Sequence, residues 1–308
     1  AVKLRPGINR EGTRYTNEGG YYDGDKIRFR QGTPEKIGGW TRISSSTFSG
    51  VCRSLHNWVT LGGQNLIGAG THLKFYIENV GNYNDITPLR ATVSLTDPFT
   101  TTSGSTTVTV TDANGGYSDG DYVTFSNASA AGGITIDGEY QISLSAISAA
   151  NTYTITASST ASSSATGGGS VSAAYQITSG NAFATVVEGW GGATWGAGTW
   201  GVGESSTAPV RFWTQSDFGE DLIFGPDGGA IYYWDATNGV GTRGVLLSSL
   251  SGASDVPTVQ NLILVSDINR FVFVFGTNAI GSSTLDPTLL RWSDQEDATN
   301  WTPSATNQ

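Results

Sequence analysis

Methionine is absent from the 308-residue chain, cysteine occurs once, histidine twice, and 9 prolines stand against 42 glycines. The single Cys52 has no partner in the chain, so an intrachain disulfide framework is excluded and the residue is expected as a small buried hydrophobe. His56 and His72 lie among apolar, strand-type residues without ligand spacing, which gives no basis for a zinc site or a histidine-based triad. No apolar run reaches the roughly 18 residues of a membrane helix, and the opening AVKLRPGINREG lacks the apolar stretch of a secretory signal, so no membrane insertion is expected. The HExxH, GxSxG, Walker, CxxC and dinucleotide-binding patterns are all missing. With methionine missing throughout, Ala1 is expected to follow initiator removal or trimming.

What is present is a chain with 37% hydrophobic, 11% aromatic and 14% charged residues, enough for a packed core and long enough for two domains or one large β domain with an insertion. Its net charge of −10 is unevenly spread. Residues 1–53 hold ten of the sixteen basic residues against five acids, whereas no Lys or Arg occurs between Arg90 and Arg211. That gap marks a separate module, placed at 97–177 by its Ser, Thr, Ala and Gly texture. Short period-two runs within it, such as Thr107–Val110, Tyr122–Phe125 and Thr152–Thr156, read as five or six strands separated by Asn-Gly and Asp-Gly turns. The low-complexity stretch 157–170 reads as a flexible loop or an edge extension, because it offers little apolar surface to offset ordering.

With the module set aside, three segments resemble one another: Arg53 to Tyr76, Val210 to Asp235 and Val259 to Asp294. Each reads as strand, polar turn, strand, glycine turn, aromatic strand. The step from Leu222 to Phe271 is 49 residues, the spacing of propeller blades. Antiparallel units with one apolar face must stack to bury it. The expected fold is therefore all-β: a β-propeller-like body, incomplete in this chain, with an inserted small β-barrel or sandwich. Its expected division is 1–96, a basic docking segment and first blade; 97–177, the insertion; and 178–308, the continuation of the propeller. The last residues, NWTPSATNQ, carry no closing-strand signal, which raises the expectation of a further carboxy-terminal part.

Carboxylates cluster at Asp23 and Asp25, Asp119 and Asp121, and Glu220 and Asp221, but the run from Asp112 to Asp121 lacks the ligand order of a calcium loop and is better explained by Asx turns. No catalytic residue, metal ligand or cofactor site is assigned. Trp190, Trp195 and Trp200 recur every five residues in a glycine-rich segment, a period of neither helix nor strand; they read as loop anchors, with sugar or interface contact as the functional alternative. The basic amino-terminal stretch, which could grip nucleic acid, is interrupted by Glu18, Asp23, Asp25 and Glu35, so docking on an acidic protein neighbour is at least as well supported.

The segment Pro6 to Trp40, the Trp/Gly segment and Leu290 to Trp301 (LRWSDQEDATNW) together resemble the tail nozzle, or tail tube hub, proteins of short-tailed bacteriophages, a group similar to the packaged-DNA stabilisation proteins. The resemblance implies a non-enzymatic virion protein of the tail or neck, made in the host cytoplasm, with a β-propeller body and a ring of six copies below the portal and adaptor proteins. It also implies contact with tail fibre or needle proteins and transient passage of double-stranded DNA. Relatives of that family carry further blades, and this chain departs from them in length. On this reading Arg5, Arg10, Arg14, Arg28 and Arg30 dock on the adaptor, while Asp and Glu line the bore, since acidic walls repel phosphate. A host-glycan-binding tail protein using the tryptophans and the insertion is the alternative. A propeller glycosidase would need two facing acids about 5 to 10 Å apart.

Overall fold

The computed structural model describes residues 5–39, 41, 44–114, 116–144, 151–180 and 210–304, in two compact units, Ala1–Ser45 and Ser46–Gln308. Among the described residues the regular structure is strand, with two single turns of 3-10 helix and no α-helix. In the first unit, β1 (Ile27–Arg30) and β2 (Thr33–Lys36) form a hairpin. Its two-residue turn places both Gln31 (φ 49°) and Gly32 (φ 81°) in the left-handed region, the geometry that matches strand twist in tight hairpins.

The second unit opens with sheet 1: β3 (Cys52–Val59), β4 (Asn65–Thr71), β5 (Phe75–Asn79) and β6 (Asn82–Asp85), antiparallel and hydrogen-bonded in chain order. The chain then enters the inserted module, whose strands are β7 (Leu89–Thr96), β8 (Phe99–Thr101), β9 (Thr107–Thr111), β10 (Tyr122–Ser126), β11 (Gly138–Gln141), β12 (Thr152–Thr156), β13 (Ala165–Gly167) and β14 (Ser170–Gln176). They pair as two four-stranded sheets, β11-β10-β14-β7 and β12-β9-β8-β13. The sheets share one core, built on Phe99, Val108, Val110, Val123, Phe125, Tyr153, Ile155 and Val171, so the module is a sandwich and neither sheet closes into a barrel. Its strand pairing begins at Leu89, through β7 against β14.

Residues 157–164 lie outside the strands and 165–167 add the edge strand β13 to its sheet, the loop and edge extension expected from composition. Ala157 and Ala161 are buried, and β13 pairs with β8. Small side chains let the backbones approach: the Thr101 hydroxyl lies 3.1 Å from the carbonyls of both Ser163 and Ala165, which share its one proton.

Beyond the sandwich come sheet 2, with β15 (Trp213–Phe218), β16 (Asp221–Pro226), β17 (Tyr232–Trp234) and β18 (Val245–Leu246), and sheet 3, with β19 (Gln260–Val265), β20 (Val272–Thr277) and β21 (Asp286–Trp292). Each of the three repeats seen in the sequence becomes one meander sheet, and the sheets stack through apolar faces. Trp58, Leu66, Phe75 and Ile77 of sheet 1 meet Trp213, Leu222, Phe224 and Trp234 of sheet 2. On the other side of sheet 2, Ile223 and Ile231 meet Ile263, Val265, Val272 and Val274 of sheet 3. Each such side chain contributes about 1.5–3 kcal/mol by leaving water, so these two layers dominate the stability of the stack.

A polar lock repeats at both layers. Trp213 Nε1 donates to the Thr71 carbonyl at 2.6 Å, and Gln260 Nε2 donates to the Pro226 carbonyl at 2.9 Å. Each acceptor directly follows a glycine, Gly70 or Gly225, at which an added Cβ would run into the incoming Trp213 or Gln260 side chain.

Candidate functional site

The five arginines singled out from the sequence lie in the first unit and are exposed. Arg10 pairs with Asp23, and its guanidinium holds that carboxyl below the usual aspartate value. Arg28 Nε meets Glu35 Oε1 at 2.7 Å across the β1–β2 hairpin, and Arg14 lies 5.4 Å from the centre of the Tyr22 ring. Arg5 is fixed through its backbone, its N–H donating to the Gly19 carbonyl at 2.8 Å; Arg30 ends β1. These contacts orient the side chains without neutralising the unit, which holds nine basic residues against five acids. Such a surface attracts acidic partners and raises their encounter rate.

In the second unit the most concentrated charge is a junction that sequence reading missed. Lys74 is only 5% exposed, held at the turn between β4 and β5 where its N–H donates to Thr71 Oγ1 at 2.9 Å. Its ammonium lies 2.9 Å from Asp85 Oδ2 on β6 and 2.6 Å from Glu139 Oε2 on β11. It also sits 4.6 Å from the centre of the Tyr122 ring on β10. Arg243, between β17 and β18, reaches Asp85 at 3.4 Å and donates to the Thr87 carbonyl at 2.7 Å, while Gln176 Nε2 donates to Glu139 at 2.7 Å. Burial opposes the charge on Lys74, but the two carboxylates outweigh it and raise the pKa. Burial likewise opposes ionisation of Asp85, and Arg243, Lys74 and Thr87 together lower its pKa. Two cations and two anions thus tie sheet 1, the sandwich and sheet 2 together. A lysine inside the apolar run Leu73 to Ile77 was the available signal.

The remaining sequence candidates do not come together. Asp119 Oδ1 accepts from Leu144 N–H at 2.8 Å, Asp121 Oδ2 accepts from Ser118 N–H and from the Thr178 hydroxyl, and burial raises the Asp121 pKa. Glu220 accepts from Leu61 N–H at 2.6 Å, and Asp221 accepts from Tyr233 and from Ala236 N–H. Asp112 Oδ1 accepts from Asn114 N–H at 2.8 Å, an Asx turn. His56 Nε2 lies 2.9 Å from Asp217, and His72 Nδ1 accepts from Val51 N–H at 2.9 Å. Cys52 is half-buried, not fully buried, because it stands at the first, irregularly paired position of β3. Among the described residues no three His, Cys, Asp or Glu side chains gather as a metal set. Trp190, Trp195 and Trp200 lie outside the described residues.

The segment from Leu290 closes sheet 3. Arg291 donates to the carbonyls of Asn278, at 3.3 Å, and Asp255, and buried Trp301 donates to the Ala298 carbonyl at 2.8 Å. An apolar cleft of about 350 Å³ opens beside it, lined by Ile280, Leu290, Trp292, Trp301 and Pro303.

No protein-family model matches the chain, and no curated protein matches it. Among solved structures the chain is similar to phage phi92 endosialidase, at 18% sequence identity and a TM-score of 0.24. The likeness covers 85% of this chain and 40% of that one, so the chain spans less than half the length of the endosialidase.

Proposed function

We propose that the chain is a non-enzymatic structural component of a bacteriophage tail or neck, part of a ring below the portal and adaptor that retains packaged DNA and conducts it during ejection. One observation carries the structural half of this reading. Lys74, Asp85, Trp213 and Gln260 of the second unit are engaged in fastening one sheet or module to the next. The virion half is supported by the sequence resemblance at Pro6 to Trp40 and Leu290 to Trp301, and by the separation of charge between a basic first unit and an acidic remainder. In this role Arg5, Arg10, Arg14, Arg28 and Arg30 meet an acidic adaptor surface, and acidic walls keep DNA from adhering.

Electron microscopy of purified particles, with this chain labelled, tests the reading: its density is expected in a symmetric ring directly below the portal. Density on peripheral fibres, together with saturable sugar binding lost on Trp195→Ala, would replace it with the glycan-binding alternative.

A further inference from the structure

Ser46 is the first residue of the second unit, and the segment from there to β3 is laid along sheet 1 and fastened at several points. Ser46 Oγ donates to the Gly81 carbonyl at 2.8 Å, and Ser49 N–H donates to the Tyr76 hydroxyl at 3.1 Å. Between them Phe48 meets the Tyr83 ring edge-on, with 5.0 Å between the ring centres. The Thr71 hydroxyl lies 2.9 Å from the Ser49 carbonyl. Where the segment joins β3, it is closed by His72, in the turn between β4 and β5. The His72 N–H donates to the Val51 carbonyl at 3.3 Å, and Val51 N–H donates to His72 Nδ1 at 2.9 Å. Gly50, with φ 96°, lets the backbone come this close: a Cβ added there would stand 3.3 Å from Nδ1 and 2.7 Å from Thr71 Oγ1.

The bond to Nδ1 has a property that the other fastenings lack near neutral pH. Nδ1 accepts a hydrogen bond only on the neutral ring, because the imidazolium carries N–H on both nitrogens. Protonation therefore turns the acceptor into a second donor, set against the Val51 N–H. The surroundings favour the neutral ring. Burial acts first and Arg53, on β3, second, and both hold the His72 pKa below its usual 6.5. Lys74, two residues on, is engaged by Asp85 and Glu139, while Arg211 and Asp121 are engaged by Thr178. The Ser179 hydroxyl donates to the His72 carbonyl, and the Cys52 thiol is turned to the Ser54 carbonyl at 3.6 Å.

We propose that His72 is a proton-operated latch on the segment 46–51: the neutral ring holds the segment closed on sheet 1, and protonation releases Val51 and shifts the segment toward an open state. The segment carries the chain from the first unit into sheet 1, so the latch sets how firmly that connection is held. The sign is fixed by the chemistry. A histidine whose pKa is lowered in the closed state contributes its share of closure above its ordinary value, and that share fades as pH falls through the lowered one. The inference does not depend on the virion reading.

Hydrogen exchange of the full chain, followed by mass spectrometry on peptides spanning 46–51, tests it. With intrinsic exchange rates divided out, protection is expected to fall about three- to tenfold between about pH 7.5 and about pH 5, the worth of one hydrogen bond. His72→Asn places an amide oxygen near the position of Nδ1 and does not titrate, so its segment is expected to stay closed at both pH values. His72→Phe keeps a ring without an acceptor and is expected to be open at both, with an unchanged main thermal transition as the check on folding. Equal protection of the wild-type segment at the two pH values would overturn the proposal. So would a His72→Asn chain that opens in acid as the wild type does, or a folded His72→Phe chain as protected as the wild type near neutrality.

Discussion

Lys74 concentrates the physics of the second unit in one side chain. Its ammonium is almost fully removed from water and is held by Asp85 and Glu139, so deleting it leaves two anions facing each other with only Arg243 to offset them. Breaking a buried ion cluster on one side costs about 3–5 kcal/mol, and Lys74→Met is expected to lose about that much in urea unfolding, with Glu139→Gln restoring part of it. The pH dependence follows in sign. Lys74, with its pKa raised in the fold, stabilises fully below its unfolded value of 10.5, and that contribution is lost as pH rises through the folded value. Asp85, with its pKa lowered, stabilises above 3.8, and its contribution fades as pH falls through the folded value. Asp121 runs the other way: burial makes its ionised form costly, a cost relieved as pH falls through its raised pKa. The difference in unfolding free energy between wild type and Lys74→Met should therefore be flat near neutrality and shrink at both extremes.

At the scale of elements, the repeated lock between sheets makes two substitutions comparable. Trp213→Phe keeps an aromatic ring, smaller than the indole, and removes the N–H donated to Thr71; Gln260→Leu keeps about the volume and removes the N–H donated to Pro226. The Pro226 carbonyl keeps the Gly229 N–H at 2.8 Å, so Gln260→Leu is the milder of the two; Trp213→Phe withdraws the indole donor from the Thr71 carbonyl between packed sheets and should cost about 1–3 kcal/mol by chemical denaturation. Gly70→Ala forces a methyl against the Trp213 side chain and should cost a similar amount by overpacking. A Gly70→Ala protein as stable as wild type would show that the sheets are not in register there. The strands carrying these contacts were legible in the sequence because alternation and glycine turns are local signals, and Thr152–Thr156 was placed to the residue. The fourth strands were not. β6 reads NYND and β18 has two residues, so both owe their strand state to pairing with a neighbour already in place. The Lys74 junction was not legible, because it gathers positions 74, 85, 139 and 243, and no local pattern encodes which distant strands will meet.

For the whole molecule the sandwich poses the sharpest question, whether a module inserted between two sheets folds by itself. Its entry and exit are adjacent: Ile177 N–H donates to the Pro88 carbonyl at 3.1 Å, so excision demands no rearrangement of its ends. Its core is its own, with Phe99 and Phe125 in edge contact 5.0 Å apart and the hydroxyls of Tyr153 and Tyr175 paired at 2.7 Å. Among the described residues, Glu139, Gln176 and Tyr122 would lose partners at the Lys74 junction, the Thr178 carbonyl would lose Arg211 and Ile177 would leave the core between sheets 1 and 2, all at the rim of the module and outside its own core. Residues 88–178 are therefore expected to unfold in one cooperative transition. Burial raises the phenol pKa values of Tyr153 and Tyr175 far above the usual 10.0, so an alkaline titration followed in the ultraviolet should leave two tyrosines un-ionised until the module unfolds. If all five tyrosines of the module ionise together near pH 10, with no prior unfolding signal, then its core forms only when sheets 1 and 2 are present and the module does not fold autonomously.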